Sequence, residues 1–245
     1  MEERKQSHAM REDIQLQRDY YTKTAGKYQA LHMQQDGAHD FALQVLQGLI
    51  AHHGFSSVLD VGSGTGRAVA NLQAARPGLK ILGLEPVAAL REIGYRNGLA
   101  RDQLIEGDGT KIALADGAFD VVCSFGVLHH VPNPEQVIRE MLRVAKKAVF
   151  ISDCNRFGSG SYLGRRLKLG LYRIGLWPLA NFIKTKGKGY TLSEGDGVAY
   201  SYSIFDNFAT IAKACARVQV MNYDGREKNP VLGSLNIVVI GLKGQ

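Results

Sequence analysis

The sequence contains little cysteine and has no long apolar run. Its 245 residues include three cysteines, Cys123, Cys154 and Cys215, whose spacing matches neither a metal site nor a disulfide framework. Such usage is typical of a reducing compartment. No run approaches the roughly 20 apolar residues of a membrane span, and the polar stretch 1–18 lacks the apolar segment of a signal peptide. We therefore expect a cytoplasmic protein that holds no metal.

Acidic residues are missing from one stretch of the chain. Between Cys154 and Tyr190 the sequence has eight basic residues and no aspartate or glutamate. The net charge of the whole chain is +7, so the rest of the chain is close to neutral. The 45% hydrophobic content excludes a largely disordered chain, and the length is ordinary for one α/β domain. The composition indicates a near-neutral domain that carries one strongly basic segment.

The most informative stretch is Ser57–Arg67, where glycines follow a short apolar run. The run over 58–61 predicts a buried parallel strand. Glycines follow at positions 62, 64 and 66, and an apolar pattern at helical spacing begins at Ala68. This order lets backbone N–H groups approach a ligand at the helix N-terminus. A dinucleotide fingerprint needs its third glycine at position 67, which is Arg67. The spacing therefore disfavours a nicotinamide-dependent oxidoreductase.

The pattern Asp-x-Gly-x-Gly-x-Gly from Asp60 to Gly66 resembles motif I of the class I S-adenosylmethionine (SAM) methyltransferases. Two later phrases, 112–120 and 128–134, are similar to those of the ubiquinone- and menaquinone-biosynthesis-like small-molecule group. The resemblance implies SAM as the cofactor, with S-adenosylhomocysteine as its product, and an Asp60 that orders both the glycine loop and the cofactor's amino group. It covers residues 20–153 well and 204–242 loosely.

The resemblance and the apolar patterns predict one architecture. We expect an α/β fold with a Rossmann-like, seven-stranded, mostly parallel sheet, helices on both faces and an antiparallel last strand. A single methyltransferase domain would span 1–245, with an N-terminal helical segment over 12–50. The core would comprise 56–153 and 204–242, and a basic cap would be inserted at 154–203.

The candidate cofactor contacts lie near the carboxyl ends of the predicted strands. Glu85 ends the second strand, where its two oxygens can accept hydrogen bonds from both hydroxyls of a ribose. The resemblance implies that Asp108 accepts from the adenine amino group and that the aromatic segment 19–28 closes over the cofactor. Tyrosines that only pack a helix against the sheet are the alternative for that segment. The expected cofactor contacts are Tyr21, Tyr28, Asp60, Gly62, Ser63, Gly64, Gly66, Glu85, Pro86, Asp108, Gly109, Ser124, Phe125 and Gly126.

Two adjacent histidines are the candidates for a catalytic base. His129 and His130 follow the fourth strand, and imidazole titrates near neutrality. A base is needed only if the acceptor is neutral, because the sulfonium of SAM is already a strong electrophile. A packing or loop-ordering role for one or both histidines is the alternative.

The cap is the expected site of acceptor recognition, because loops beyond the strand ends of an α/β sheet form the substrate side. Leu163, Leu167 and Leu171 recur at helical spacing among basic residues, so the segment is amphipathic. It could bind an anionic acceptor, touch an anionic membrane surface transiently, or pack with its charges in solvent. The expected acceptor contacts are Asn155, Arg156, Arg165, Arg166, Tyr200 and Tyr202.

The sequence therefore predicts a SAM-dependent methyltransferase for a small, anionic acceptor, with O-methylation favoured by the family. A lipid- or quinone-like acceptor, an RNA acceptor and a non-catalytic SAM-binding protein are the alternatives. Nucleic acid is disfavoured because Ser124–Val127 stands where many nucleic-acid methyltransferases have Asn/Asp-Pro-Pro-Tyr/Phe. The sequence leaves the oligomeric state open.

Overall fold

Nine strands run through the part of the chain that the computed structural model describes, residues 2–27, 37–193, 196–222 and 229–244. In chain order they are β1 (Ser57–Val61), β2 (Lys80–Leu84), β3 (Leu104–Ile105), β4 (Phe119–Phe125), β5 (Ala145–Cys154), β6 (Tyr190–Ser193), β7 (Gly197–Tyr200), β8 (Arg217–Asn222) and β9 (Asn236–Leu242).

Seven of these strands form the main sheet, in the order β3-β2-β1-β4-β5-β9-β8. The first five pair in parallel, whereas β9 is antiparallel to both β5 and β8. The predicted fold class is thus confirmed, including the antiparallel last strand. Because β1 lies between β2 and β4, the carboxyl ends of these three strands meet at one edge, where ligands bind in open α/β sheets.

Nine α-helices lie in the described residues. They are α1 (Glu2–Thr24), α2 (Gly37–His53), α3 (Arg67–Ala75), α4 (Ala88–Arg96), α5 (Pro134–Val144), α6 (Tyr162–Arg173), α7 (Trp177–Lys184), α8 (Phe208–Ala214) and α9 (Pro230–Gly233). The first helix begins before residue 12, the predicted start, because the residues that precede it are mostly good helix formers.

Both faces of the sheet are covered by apolar helix faces, as predicted. On one face, α5 contributes Ile138 and Met141 to a cluster with alternate residues of the strands, including Leu59. On the other face, α2 and α3 contribute Leu46 and Leu72 to a second cluster that includes Val58. Neighbouring residues of β1 therefore point to opposite cores, as the alternation of side chains along a strand requires.

The insertion at 154–203 folds into α6, α7 and a separate antiparallel pair, β6 and β7. We call this segment the cap. The periodicity predicted helix for part of it but did not show the strand pair. Among the residues described, no helix combines the length and the apolar character that crossing a bilayer requires.

Most of the apolar stripe of the cap is not packed against the protein. Leu163, Leu167 and Ile174 in and after α6 are 76%, 64% and 67% exposed, whereas Leu171 is half-buried. Leu179, Phe182 and Ile183 of α7 are exposed to a similar extent. Hence the third interpretation of the cap, an apolar face packed inward with only charges in solvent, is wrong for this stripe.

Candidate active site

A cavity of about 370 Å³ opens at the carboxyl ends of β1, β2 and β4 and is covered on one side by α1. Ten of the predicted site residues line it. They are Tyr21, Gly62, Gly64, Glu85, Pro86, Asp108, Gly109, Phe125, Gly126 and His130. The topology thus gathers residues from distant parts of the chain around one space large enough for a small-molecule ligand.

The glycine loop forms one wall of the cavity with its backbone. Gly62 and Gly64 have φ angles of +74° and +57°, in the left-handed region that favours glycine. A Cβ added to Gly62 would lie 2.5 Å from a methyl carbon of Val127, so the loop and the turn after β4 are in contact only because this side chain is absent. The wall therefore offers backbone rather than side chains to a ligand.

Asp60 lies behind this wall and does not line the cavity. One carboxylate oxygen accepts a hydrogen bond from the Ser63 hydroxyl at 2.6 Å, and the other lies 3.7 Å from the Cys123 sulfur. Burial raises the pKa of Asp60 to about 6 although both hydrogen bonds lower it. This geometry fits the loop-ordering part of the predicted role.

Glu85 reaches the cavity from the end of β2. One of its oxygens accepts from the backbone N–H of Gly64 at 2.9 Å and the other from that of Val87 at 2.8 Å. Burial raises the pKa of Glu85 to about 7, against the lowering effect of these two hydrogen bonds. Each carboxylate oxygen can accept a further hydrogen bond. Glu85 can therefore bind the glycine loop and, at the same time, a ligand in the cavity that carries hydrogen-bond donors.

Asp108 lies at the far wall, after β3. One of its oxygens accepts from the N–H and hydroxyl of Thr110 at 2.8 and 2.6 Å. The other forms an ion pair of 3.0 Å with Arg18 of α1. Arg18 also lines the cavity, and nothing in the local sequence around it signals this contact.

The two histidines meet α1 and the cap at the other end of the cavity. His130 Nε2 lies 3.2 Å from the Tyr21 hydroxyl and 3.1 Å from an Asp196 oxygen, and its Nδ1 lies 2.6 Å from the Val198 carbonyl oxygen. His129 does not line the cavity. Its Nδ1 lies 2.8 Å from a carboxylate oxygen of Asp153.

The charges of this cluster are strongly coupled. Burial by itself would lower the pKa of His129, but Asp153 and Asp196 outweigh burial and raise that pKa to about 10. Burial opposes ionisation of both aspartates as well, yet the histidines keep the pKa of each aspartate below its ordinary value. The cluster therefore favours both ionised carboxylates and a positive charge between them.

Gln17 attaches β7, which Asp196 directly precedes, to α1. The Gln17 side chain accepts from the Val198 N–H at 2.5 Å and donates to the Asp196 carbonyl at 3.2 Å. Gly197 has a φ of +71°, and a Cβ there would lie 2.5 Å from the Gln17 side-chain oxygen. The helix can approach the strand this closely only at a glycine.

The predicted acceptor contacts divide into two groups. Asn155, Arg156, Tyr200 and Tyr202 line a second cavity of about 180 Å³ between the core and the cap. Within it, the Asn155 side chain is fully buried and bonded to the backbone on several sides, including the carbonyls of Val231 and Ser234. These hydrogen bonds link the end of β5 to the segment 231–234, so we do not retain Asn155 as an acceptor contact.

Other members of the set are also engaged within the protein. Arg156 forms an ion pair with Asp206, and Tyr200 donates to Asp13 at 3.1 Å. Arg165 donates to the backbone carbonyl of Leu232 at 2.6 Å, and the Arg166 guanidinium lies 4.4 Å from the ring of Tyr162. Neither Arg165 nor Arg166 lines either of these cavities, and we do not retain them as acceptor contacts.

Four further expected cofactor contacts, Asp60, Ser63, Gly66 and Ser124, lie behind the cavity wall rather than on it. Tyr28 is outside the described residues. The residues that sequence reasoning missed include Ile14, Gln17 and Arg18 of α1 and Gln136 and Val137 of α5. Their helices show ordinary amphipathic patterns, so only their position over the sheet edge makes them part of the site.

Comparisons with known proteins agree with this geometry. Residues 59–151 match the protein family described as a methyltransferase domain. An uncharacterized methyltransferase of Mycobacterium sp. (strain JLS) is 37% identical over 93 residues, which cover 38% of this chain and 36% of that protein. A ubiquinone biosynthesis O-methyltransferase of Sodalis glossinidius is 30% identical over 171 residues, 65% of each protein. The chain thus spans between 36% and 65% of the length of these two relatives.

Solved structures show the same fold over nearly the whole chain. A SAM-dependent methyltransferase of Thermotoga maritima, described as a possible histamine N-methyltransferase, matches with a TM-score of 0.59 and 20% identity, covering 91% of this chain and 98% of that one. Magnesium protoporphyrin IX methyltransferase of Synechocystis, with bound S-adenosylhomocysteine, gives a TM-score of 0.60 and 16% identity over 95% and 100%. At such identities the likeness shows the fold alone. Residues 59–151 of this chain thus match a methyltransferase domain, and the described residues have the fold of SAM-dependent methyltransferases.

Proposed function

We propose that the protein transfers a methyl group from SAM to a small anionic acceptor, and that the acceptor atom is an oxygen. The observation that carries the proposal is the cavity of about 370 Å³, which has a glycine cradle and two carboxylates on its walls and the Tyr21–His130 pair at one end. The cavity combines the features of a cofactor site with a second polar end that would face an acceptor.

The residues on the walls fit SAM. Glu85 would accept from the ribose hydroxyls, because each of its oxygens keeps a free lone pair beside its backbone hydrogen bond. The backbone of Gly62 and Gly64, which lines the cavity, would face the amino-acid part. Asp108, ordered by Thr110, would accept from the adenine amino group. When bound, SAM supplies a sulfonium methyl group that is already electrophilic.

The protein itself must hold the acceptor in line and exclude water. Reacting atoms must approach to about 3–3.5 Å before the transfer, and α1 covers the cavity with Gln17 and Tyr21. An acceptor that is already an anion needs no base. His130 would then position the acceptor, while a neutral acceptor would need His130 as its base. His129, the other predicted base, does not line the cavity, and its pKa of about 10 disfavours this role.

Two observations support an anionic acceptor and O-methylation. The cap has a strong excess of basic residues, which would attract an anion to this side of the molecule. The Sodalis glossinidius relative is named as an O-methyltransferase.

Calorimetric titration of the purified protein with SAM, S-adenosylhomocysteine, NAD and NADP tests the cofactor. We expect micromolar binding of the first two and none of the nicotinamide cofactors. Binding of NAD or NADP instead, or of no cofactor at all, would contradict the proposal. With SAM binding established, methyl transfer from radiolabelled SAM to a panel of carboxylates, phenolates and phosphate esters tests the acceptor class.

A second candidate acceptor is an amphiphilic, quinone-like molecule. The exposed apolar side chains of α6 and α7 favour it, since exposed apolar patches of this kind mark contacts with apolar partners. The Sodalis glossinidius relative is named for ubiquinone biosynthesis. Transfer to a phenolic acceptor with a prenyl tail that exceeds transfer to the same phenol without the tail would favour this candidate.

A further inference from the structure

Three metal-ligating side chains converge at the Tyr21 end of the cavity although they come from two separate parts of the chain. His129, His130 and Asp196 each present a donor atom within 4.8 Å of the others. His130 Nε2 lies 3.1 Å and His129 Nε2 lies 3.6 Å from the two oxygens of the Asp196 carboxylate. Donor atoms around a tetrahedral metal with bonds of about 2.0–2.1 Å lie about 3.3 Å apart, so both histidine–aspartate distances are close to this spacing.

The other ring nitrogen of each histidine has a partner that only accepts. His130 Nδ1 faces the Val198 carbonyl at 2.6 Å, and a carbonyl oxygen has no proton to give. His129 Nδ1 faces a carboxylate oxygen of Asp153 at 2.8 Å. Asp153 also accepts three backbone N–H bonds, which hold it in the ionised form. Both Nδ1 atoms therefore carry hydrogen, and both Nε2 atoms are left to face Asp196.

The three side chains direct electron-pair donors at one another. Both Nε2 atoms face the Asp196 carboxylate, and the donor atoms of all three side chains lie within 4.8 Å of one another. A single divalent cation between them would give every donor atom a positive partner.

We propose that His129, His130 and Asp196 form a binding site for one divalent transition-metal cation, with zinc as the best match. Two imidazoles and one carboxylate are a donor set that suits zinc better than magnesium or calcium, which prefer oxygen ligands. The Nδ1 contacts with Asp153 and Val198 are the outer hydrogen bonds that usually orient histidine ligands of metals. Asp196 is 46% exposed at its side chain, which leaves a path for the cation to enter.

Three protein donors leave a coordination position for a fourth ligand. Tyr21 and His130 line the cavity, so this position opens toward the expected acceptor. If the proposed function holds, an anionic oxygen of the acceptor would occupy it. This site revises the expectation that the protein holds no metal, which rested on the spacing of the cysteines and on the absence of a His/Asp/Glu cluster in the sequence.

Zinc binding by the whole protein tests the site without relying on activity. Protein freed of metal with a chelator is titrated with Zn²⁺ by calorimetry, and its metal content is measured by mass spectrometry after desalting. We expect one zinc per chain with a Kd below about 1 µM, in the range of built sites. Asp196→Asn and His130→Asn should each weaken binding by at least about tenfold, since even loss of an outer partner of a metal ligand has that effect.

A second histidine pair provides the matched control. His52 and His53 are also adjacent, with ring centroids 4.8 Å apart, but they lie exposed at the end of α2. The double variant His52→Asn/His53→Asn should keep the zinc affinity of the wild type. Absence of binding by the wild type, binding that survives both Asp196→Asn and His130→Asn, or binding lost in the control variant would each overturn the proposal.

Cobalt gives a readout that needs no variant. Co²⁺ in a site of low coordination number should give visible absorption bands that stoichiometric Zn²⁺ abolishes, whereas a spectrum like that of aqueous Co²⁺ would count against the site. SAM titration of the metal-free protein separates the two proposals. SAM binding without zinc binding would overturn the metal site alone, and zinc binding without SAM binding would overturn the proposed function alone.

Discussion

Replacing Glu85 by glutamine should separate cofactor binding from stability. Each oxygen of Glu85 accepts one backbone N–H, from Gly64 and from Val87. In glutamine one of these oxygens becomes an NH₂ group that cannot accept, so one backbone bond and one expected ribose bond are lost. Hydrogen bonds to a charged group contribute about 1.5–3 kcal/mol. The SAM affinity of Glu85→Gln should therefore fall by about 10- to 150-fold.

The stability of the same variant should change little at pH 8. The pKa of Glu85 rises from 4.5 to about 7 on folding, which corresponds to a cost of roughly 3 kcal/mol for burying the ionised form. The substitution removes this cost, and this offsets the loss of roughly 1–3 kcal/mol from the unpaired backbone N–H. We expect a Tm close to that of the wild type, or slightly above it.

The sign of the pH dependence follows from the same pKa. Because the folded protein binds the Glu85 proton more tightly than the unfolded chain, this residue's contribution to stability is complete below pH 4.5 and is lost as the pH rises through about 7. SAM affinity should change in the opposite direction and rise as Glu85 ionises, since the carboxylate accepts hydrogen bonds better than the acid. In Glu85→Gln the rise near pH 7 should be absent.

Calorimetry with SAM and thermal unfolding at pH 6 and pH 8 measure these effects. Glu106→Gln is the matched control, because Glu106 follows the neighbouring strand β3 but pairs with Arg91 outside the cavity. An unchanged SAM affinity in Glu85→Gln would remove Glu85 from the cofactor site. A fall in Tm that accounts for the whole loss of affinity would show that Glu85 only maintains the fold.

Three further predictions concern the loop, the helix α1 and the acceptor end. Gly62→Ala forces a φ of +74° on alanine and a clash at 2.5 Å. It should lower stability by about 1–3 kcal/mol and weaken SAM binding, whereas Gly48→Ala, in open space on α2, should stabilise by about 0.5–1 kcal/mol. Gln17→Ala leaves the Val198 N–H unpaired, so limited proteolysis should cut the cap faster. Tyr21→Phe should lower kcat/KM for the acceptor by about tenfold, the value of one hydrogen bond, while an equal loss of SAM affinity would refute its place at the acceptor end.

Local sequence patterns were sufficient to predict the strands of the sheet and one wall of the cavity. Strands, glycine turns and helix faces are local features, because each depends on the spacing of a few neighbouring residues. The positive φ angles of Gly62 and Gly64 and the place of Glu85 at the end of β2 follow from that spacing. Even the antiparallel β9 could be predicted, since the family resemblance supplied its pairing.

Local spacing gave wrong expectations for side chains whose burial and hydrogen-bond partners depend on tertiary contacts. The apolar stripe of α6 has the periodicity of a buried face, yet Leu163 and Leu167 are exposed because no element covers them among the described residues. Asn155 and Arg165 follow the fifth strand, where acceptor contacts are expected. Their side chains instead donate hydrogen bonds to backbone carbonyls in a distant part of the chain. A side chain's partners cannot be read from its own neighbourhood.

Only the tertiary structure assembled the acceptor end of the cavity. Tyr21, His130 and Asp196 come from α1, from the turn after β4 and from the cap. Hydrogen bonds require heavy atoms about 3 Å apart. The residues that separate these three positions along the chain do not indicate that their side chains come so close. The two histidines could be identified from the sequence. Asp196, whose carboxylate faces them, could be identified only from the tertiary structure, because packing of the cap against α1 and the turn after β4 places it there.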